Sequence, residues 1–209
     1  MAGFHTKTFL KHDDYMTPKY AWENIKEYIP NKIIWEAFYG DGTSGKHLKE
    51  LGFNVIHKEV DFFENDLGEV IISNPPFSLS KEVMNRLYEL DKPFILIFPS
   101  SKINTQYFRK WKDKKIQIII PRKRIQFIKN GNELQNKCNF DCFYYCYKMD
   151  LPKDIIWLEE KKEKEKEKEK EKEKEKEKEK EKEKEERCSG CGRHDDFCRC
   201  GDFMNFGED

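Results

Sequence analysis

The chain has 209 residues, 37% of them hydrophobic, which fits one ordinary domain plus additional material. Its formal charge of zero conceals a division. Of 40 basic and 40 acidic residues, 13 Lys and 15 Glu lie in residues 159–186, and three Arg and five acids in 187–209, leaving 24 basic and 20 acidic residues (net +4) in 1–158. No apolar run approaches the roughly 18–20 residues that a membrane span needs, and residues 1–11 lack the apolar core of a signal peptide. Seven cysteines, four of them clustered, argue for a metal site in a reducing intracellular compartment rather than a disulfide framework.

Taken in order, residues 17–29 predict a helix with Thr17 as N-cap, Pro18 at the first helical position, and a stripe of Tyr20, Ala21, Ile25, Tyr28 and Ile29. Residues 32–38 predict a strand ending at Glu36. Tyr39-Gly40-Asp41-Gly42-Thr43 is a turn, followed by a helix over 44–51 that Gly52 stops. A second strand is expected over 54–60 and a third over 70–73. Its run Val70-Ile71-Ile72 suits a strand covered on both faces, and Pro75 and Pro76 end it because neither can donate to a ladder. A helix over 79–90, a strand over 94–98, a basic helix over 104–111 and a strand over 116–120 follow. Residues 125–128 and 140–147 read as an antiparallel pair closing the sheet, and 154–159 as a new helix anchored by Ile155, Ile156, Trp157 and Leu158. Strands alternating with helices point to an α/β domain with a mainly parallel sheet over 1–158. The Glu-Lys repeat of 159–186 attracts at i,i+3 and repels at i,i+4, so it reads as a solvated low-complexity spacer, partly helical or a charge-mixed coil.

Four chemically suggestive pieces fall near successive strand ends. They are Asp14, Tyr15, Thr17 and Pro18; Glu36 with the glycine turn; Glu59, Asp61 and Phe62; and Asn74-Pro75-Pro76-Phe77. In open α/β sheets ligands bind at the carboxyl ends of the strands. In this order the pieces resemble the amino-methyltransferases that modify exocyclic nitrogens, in particular the N6-adenine DNA methyltransferases of phages and large DNA viruses, over about residues 14–149. The resemblance implies a Rossmann-like, S-adenosylmethionine-dependent methyltransferase fold with antiparallel closing strands. It also implies an amine clamp in which the Asn74 side-chain oxygen and the Pro75 carbonyl accept from the two amino hydrogens of a flipped adenine while Phe77 stacks on the base. For the cofactor it implies Thr17 and Pro18 near the carboxylate, Glu36 near the ammonium, Phe38, Gly40 and Gly42 in the turn, Glu59 on the ribose, Asp61 on the adenine amino group and Phe62 against its ring. Two departures stand out: Ala37 replaces the family's proline after Glu36, and Glu59 and Asp61 are only two residues apart.

Residues 102–129 hold ten Lys or Arg and one acid, Asp113. Lys110, Lys112, Lys114, Lys115, Arg122, Lys123 and Arg124, interleaved with Tyr107, Trp111 and Phe127, are expected to track a phosphate backbone, with DNA favoured over RNA. In the tail, Cys188-x2-Cys191 and Cys198-x-Cys200 supply two thiolate pairs with glycines around them, the pattern of a structural zinc knuckle over 187–209, with His194 as a substitute ligand and the tail as the expected contact for any protein partner. Cys138, Cys142 and Cys146 read as small core residues. RNA adenine or a protein glutamine amide would suit the same amine clamp. A non-catalytic nucleic-acid-binding adaptor would use only the basic region and the tail.

Overall fold

Short β-branched and aromatic runs have to pair their backbone polar groups, and here they do so in one sheet. A computed structural model of the chain describes residues 13, 15–129, 132–133, 138 and 140–159. The chain divides into a unit spanning Met1–Leu158 and a second spanning Glu159–Asp209. The spacer and the tail cysteines fall outside the described residues.

In the first unit the strands are β1 (Ile34–Trp35), β2 (Val55–Ile56), β3 (Val70–Ser73), β4 (Phe94–Pro99), β5 (Ile116–Ile120), β6 (Ile128–Lys129), β7 (Asn132–Glu133), β8 (Cys142–Tyr147) and β9 (Ile155–Trp157). The helices are α1 (Lys19–Glu23), α2 (Thr43–Glu50), α3 (Ser80–Leu90) and α4 (Gln106–Arg109). Seven strands form a sheet in the order β2-β1-β3-β4-β8-β5-β9. β2, β1, β3 and β4 run parallel, β8 lies antiparallel between β4 and β5, and β9 joins β5 in parallel. This is a Rossmann-like, mostly parallel arrangement with the polarity reversed at one inner strand. The carboxyl ends of β1, β2, β3, β4 and β5 therefore share one edge.

Alternation along the strands divides the core. Ile34, Val70, Ile72, Ile95, Ile97 and Tyr144 face the layer that contains Trp22 and Leu48. Trp35, Ile71, Phe94, Leu96, Phe98 and Tyr145 face the layer that contains Val83, Leu87 and Trp111. β3 and β4 are buried throughout, as unbroken apolar runs covered on both faces should be.

Four expectations need correction. The first helix starts at Lys19, so Pro18 occupies the N-cap and no side chain caps the helix; it ends at Glu23 before a 3-10 turn over Lys26–Tyr28. Residues 140–147 do form a strand, but it inserts between β4 and β5 instead of closing the sheet with 125–128. Of that second segment only Ile128–Lys129 is strand, in a separate antiparallel ribbon with Asn132–Glu133. Finally, 154–159 is no helix. Ile156 and Leu158 are buried, Ile155 and Trp157 are exposed, and this period of two matches strand pairing on the free side of β5. Buried Gln117 fixes the connection, donating to the Leu151 and Lys153 carbonyls and accepting from the Leu151 N–H.

Candidate active site

A cleft of about 430 Å³ opens at the carboxyl edge of the sheet. It is lined by Asp13, Tyr15, Met16 and Thr17 from the segment before α1. Glu36, Phe38, Tyr39, Gly40, Asp41 and Ser44 line it after β1, and Asn74, Pro75, Pro76 and Phe77 after β3. The topology thus brings together three of the four pieces singled out in the sequence.

Glu36 forms the floor, 1% exposed. Ser73 Oγ donates to its Oε1 at 2.6 Å, and His57 Nε2 lies 3.0 Å from Oε2, a contact poorly aligned as a hydrogen bond. Burial pushes the Glu36 carboxyl above the usual carboxylate range, and contacts with His57, Ser73 and Ser44 oppose that shift. His57 is held in turn: the Tyr39 ring stacks on it at 4.4 Å, and its ring fills the space where a Cβ on Gly45 would stand, 2.2 Å from His57 Cγ. Trp22 Nε1 donates to Ser44 Oγ.

Above this floor the glycine turn brings backbone to the cleft. Gly40 (φ +59°) and Gly42 (φ +87°) take left-handed conformations that glycine adopts without strain, and Met16 Sδ lies 3.1 Å from where a Gly40 Cβ would be. Asp41 closes the turn by accepting from the Thr43 N–H and hydroxyl.

On the other wall, Asn74 Nδ2 donates to the Tyr15 carbonyl at 2.9 Å. Only the amino end of the carboxamide can donate to a carbonyl, which fixes Oδ1 as the other end. That oxygen is buried without a partner, as is the Thr17 hydroxyl. Unpaired buried polar atoms are costly and uncommon, and at the wall of a cleft they are placed to meet polar atoms of a ligand, Asn74 Oδ1 as an acceptor and the Thr17 hydroxyl as donor or acceptor. Pro75 and Pro76 are buried, while Phe77 is half-buried. The Phe77 ring lies 6.2 Å from Tyr15 at 22°, with Phe127 and Phe140 edge-on to it and Lys129 Nζ over the Tyr15 ring.

Other expected site residues lie elsewhere. Gly42, Pro18, Glu59, Asp61 and Phe62 are not among the lining residues. Phe62 is 1% exposed among Trp35, Phe38 and Phe63, and Asp61 Oδ1 accepts from the Phe63 N–H, closing a local turn. Glu59 is exposed. Asp14 falls outside the described residues. Sequence reasoning did not single out Asp13, Ser44, His57 or Ser73. A serine next to Asn74 and a histidine one residue past β2 carry no local signal, and only the meeting of strand ends reveals them.

The basic run does not form one surface. Lys110, Lys112, Lys114 and Lys115 precede β5, at the edge opposite the cleft, whereas Arg122, Lys123 and Arg124 follow it at the cleft edge. Lys114 bonds Asp91, whose carboxyl is held well below the usual carboxylate range by Lys148, Tyr147 and Lys114. Lys110 donates to Asn85. Arg124 makes a two-point contact with Asp141. Trp111 and Phe127 are core residues, 2% and 0% exposed, and are not available as stacking platforms. Cys138, Cys142 and Cys146 are buried free thiols, and burial pushes the Cys142 and Cys146 thiols upward, as inert core cysteines require. Among the described residues no helix is long and apolar enough to cross a membrane, and no group of His, Cys, Asp and Glu could hold a metal.

The fit of His57 against Gly45 makes a testable point about the floor. Gly45→Ala has to displace the imidazole and leave the buried Glu36 carboxyl without its neighbour. It is expected to lower unfolding free energy by about 3 kcal/mol, read from urea denaturation.

No protein-family profile matches the chain. It is 27% identical over 115 residues to the type II methyltransferase M.EcoRI of Escherichia coli, a match covering 54% of this chain and 31% of that one, so the matched part is about a third of the relative's length. Two solved structures show likeness. A candidate RNA methyltransferase of Pyrococcus horikoshii matches at 15% identity over 70% of this chain and 90% of that one, with a TM-score of 0.40. A candidate class I S-adenosylmethionine-dependent methyltransferase of Listeria monocytogenes matches at 14% identity over 73% and 68%, with a TM-score of 0.38. At those scores the architecture rests on the strand order itself. With the Asn-Pro-Pro-Phe turn and the glycine turn on one cleft, the chain resembles the S-adenosylmethionine-dependent N6-adenine DNA methyltransferases.

Proposed function

We propose that this chain transfers a methyl group from S-adenosylmethionine to the N6 amino group of an adenine flipped out of DNA. The observation that carries this reading is the Asn74 carboxamide, its nitrogen tied to Tyr15 and its oxygen left as a buried, unpartnered acceptor at the cleft wall. An exocyclic amine is a poor nucleophile because its lone pair is delocalised into the ring. Acceptors fixed on both amino hydrogens, Asn74 Oδ1 and the Pro75 carbonyl, draw the nitrogen towards a pyramidal geometry, and no covalent intermediate is needed. The two prolines limit how far that carbonyl can swing.

The donor set fits the cofactor. Its amino-acid end has a carboxylate and an ammonium, for which the unpaired Thr17 hydroxyl and the Glu36 carboxylate are suited, and the glycine turn admits a close approach. When bound, the cofactor supplies an electrophilic methyl on a sulfonium. Asn74 and Pro75 orient the amine towards it, and Phe77 offers a ring face to the base. Gly42, Pro18, Glu59, Asp61 and Phe62 have no such support from the cleft. The preference for DNA follows the resemblance, and RNA adenine and protein glutamine amides remain the comparison acceptors.

Methyl transfer from labelled S-adenosylmethionine to DNA, RNA and protein pools tests the reading, with label expected at adenine N6 in DNA. Asn74→Ala is expected to lower transfer at least about 100-fold while cofactor affinity by calorimetry stays within about threefold. Transfer at the wild-type rate would overturn the clamp.

Charge at the cleft edge supports a nucleic-acid backbone alongside Arg122, Lys123 and Arg124. Lys123→Glu is expected to weaken DNA binding and reduce the slope of log affinity against log salt by about one unit. Lys112→Glu, at the opposite edge, is expected to leave both unchanged.

For the tail, four closely spaced thiolates support a structural zinc ion held by Cys188, Cys191, Cys198 and Cys200. Elemental analysis of the full chain is expected to find zinc that a Cys188→Ser, Cys191→Ser variant lacks; a metal-free wild type would refute the site.

A further inference from the structure

The segment before α1 is pinned to the cleft wall at three places. Asp13 accepts from the Ser78 N–H at 3.1 Å and from the Ser78 hydroxyl. Two residues on, the Tyr15 carbonyl accepts from Asn74 Nδ2. Met16 exchanges both backbone hydrogen bonds with Ile128 at 2.8 and 2.9 Å. Asn74 and Ser78 are the two ends of the Asn-Pro-Pro-Phe-Ser loop, so Asp13 and Tyr15, two positions apart in the sequence, hold that loop at both ends. Between those ends lie the Pro75 carbonyl and the Phe77 ring.

We infer that Asp13 is a positioning residue for methyl transfer, acting through Ser78 to hold the Pro75 carbonyl and Phe77 against Asn74. The inference rests on the function proposed above and extends it to a residue outside the amine clamp. The reason is geometric. Asn74 is fixed at one end by β3 and Tyr15, and the prolines fix φ but leave ψ to be set by contacts. Within the loop the Pro76 carbonyl accepts from the Leu79 N–H at 3.1 Å and the Phe77 carbonyl from the Ser80 hydroxyl at 2.6 Å; the two hydrogen bonds of Ser78 to Asp13 are the hydrogen bonds that tie this far end to another part of the chain. Asp13 is 8% exposed, whereas Ser78 is exposed. A carboxylate that sits at the lining of the cleft yet spends both oxygens on one loop residue is orienting the loop. Losing it should disturb the aim of the acceptors while leaving the Glu36 floor, the glycine turn and Thr17 in place. A misplacement near 1 Å is enough to slow a positioned reaction about 100-fold.

The test uses the full chain with Asp13→Ala, Asp13→Asn and Ser78→Ala, single-turnover transfer to adenine-containing DNA, and S-adenosylhomocysteine binding by calorimetry. Asp13→Ala is expected to lower the transfer rate about 30-fold with affinity changed less than about twofold and the thermal midpoint moved by no more than about 3 °C. Asp13→Asn keeps an oxygen for the Ser78 N–H and is expected to recover most of the rate. Ser78→Ala, which loses only the hydroxyl bond, is expected to fall between Asp13→Asn and Asp13→Ala and tests the link even if Asp13→Ala fails to fold. Rate and affinity falling together without rescue by Asp13→Asn would mark Asp13 as structural only, and wild-type rates in all three variants would also overturn the inference. If the wild-type chain transfers nothing to DNA, RNA or protein, the proposed function falls and the positioning role with it. If it transfers and Asp13→Ala matches it, the positioning role alone falls.

Discussion

A carboxylate almost sealed from water holds the floor of this molecule. A carboxyl group in a low-dielectric interior is tolerated only where neighbours replace the water it has lost. Glu36 meets that condition by drawing in Ser73 from the end of β3 and His57 from just past β2. Three strand ends are thereby gathered on one group, and two of them lead directly into the lining of the cleft: Glu36 into the glycine turn, Ser73 into Asn74. Packing of Trp22 on Ser44 and of Tyr39 on His57 closes the floor from either side. The distance between the glycine turn and Asn74 is therefore set by a polar contact in the core, with neither loop free to set it alone.

The upper wall depends on a second long-range contact. Asn74 and Tyr15 are 59 residues apart, and a side chain at a turn would ordinarily satisfy both ends of its amide with water or with its own backbone. Here Tyr15 takes the nitrogen and the buried oxygen has no partner, an arrangement that is unfavourable in the free protein and favourable once a donor arrives. Such local frustration is tolerated because the surroundings over-determine it: two prolines, an aromatic cluster around Phe77, and a strap bridged to Ile128.

The inner parts of the fold were legible from residue pattern because local preference and tertiary demand agree there. Val70–Ser73 and Ile116–Ile120 fall where the apolar runs place them, and α3 begins one residue inside its expected start. Pattern failed where a tertiary partner decides. Ile155 to Leu158 is an apolar tetrad that suits a helix stripe or a strand equally in isolation, and the open side of β5 made it a strand. Likewise 140–147 was readable as a strand, but its place between β4 and β5 is a property of the sheet and not of the segment. In the site the same distinction holds. Asn74, Glu36 and the glycines announce themselves by motif, whereas His57, Ser73 and Asp13 become meaningful only through what they touch.

The basic run shows how topology can overrule composition. Ten cations within 28 residues suggest one electrostatic surface, but β5 passes through the middle of them. Its five residues span about 13 Å, longer than the Debye length of about 8 Å at physiological ionic strength. Charges at its amino end are screened from the cleft, and Lys114 there is already committed to Asp91, beneath whose carboxylate Tyr147 and Lys148 also converge. Those lysines neutralise the turn before β4 and help anchor that edge of the sheet. On the cleft side the cations beyond Ile120 are Arg122, Lys123 and Arg124, the last paired with Asp141, and Lys129 lies over the Tyr15 ring. The larger share of the lysines in the run thus lies on the side away from Asn74, and it is the direction of β5 that puts it there.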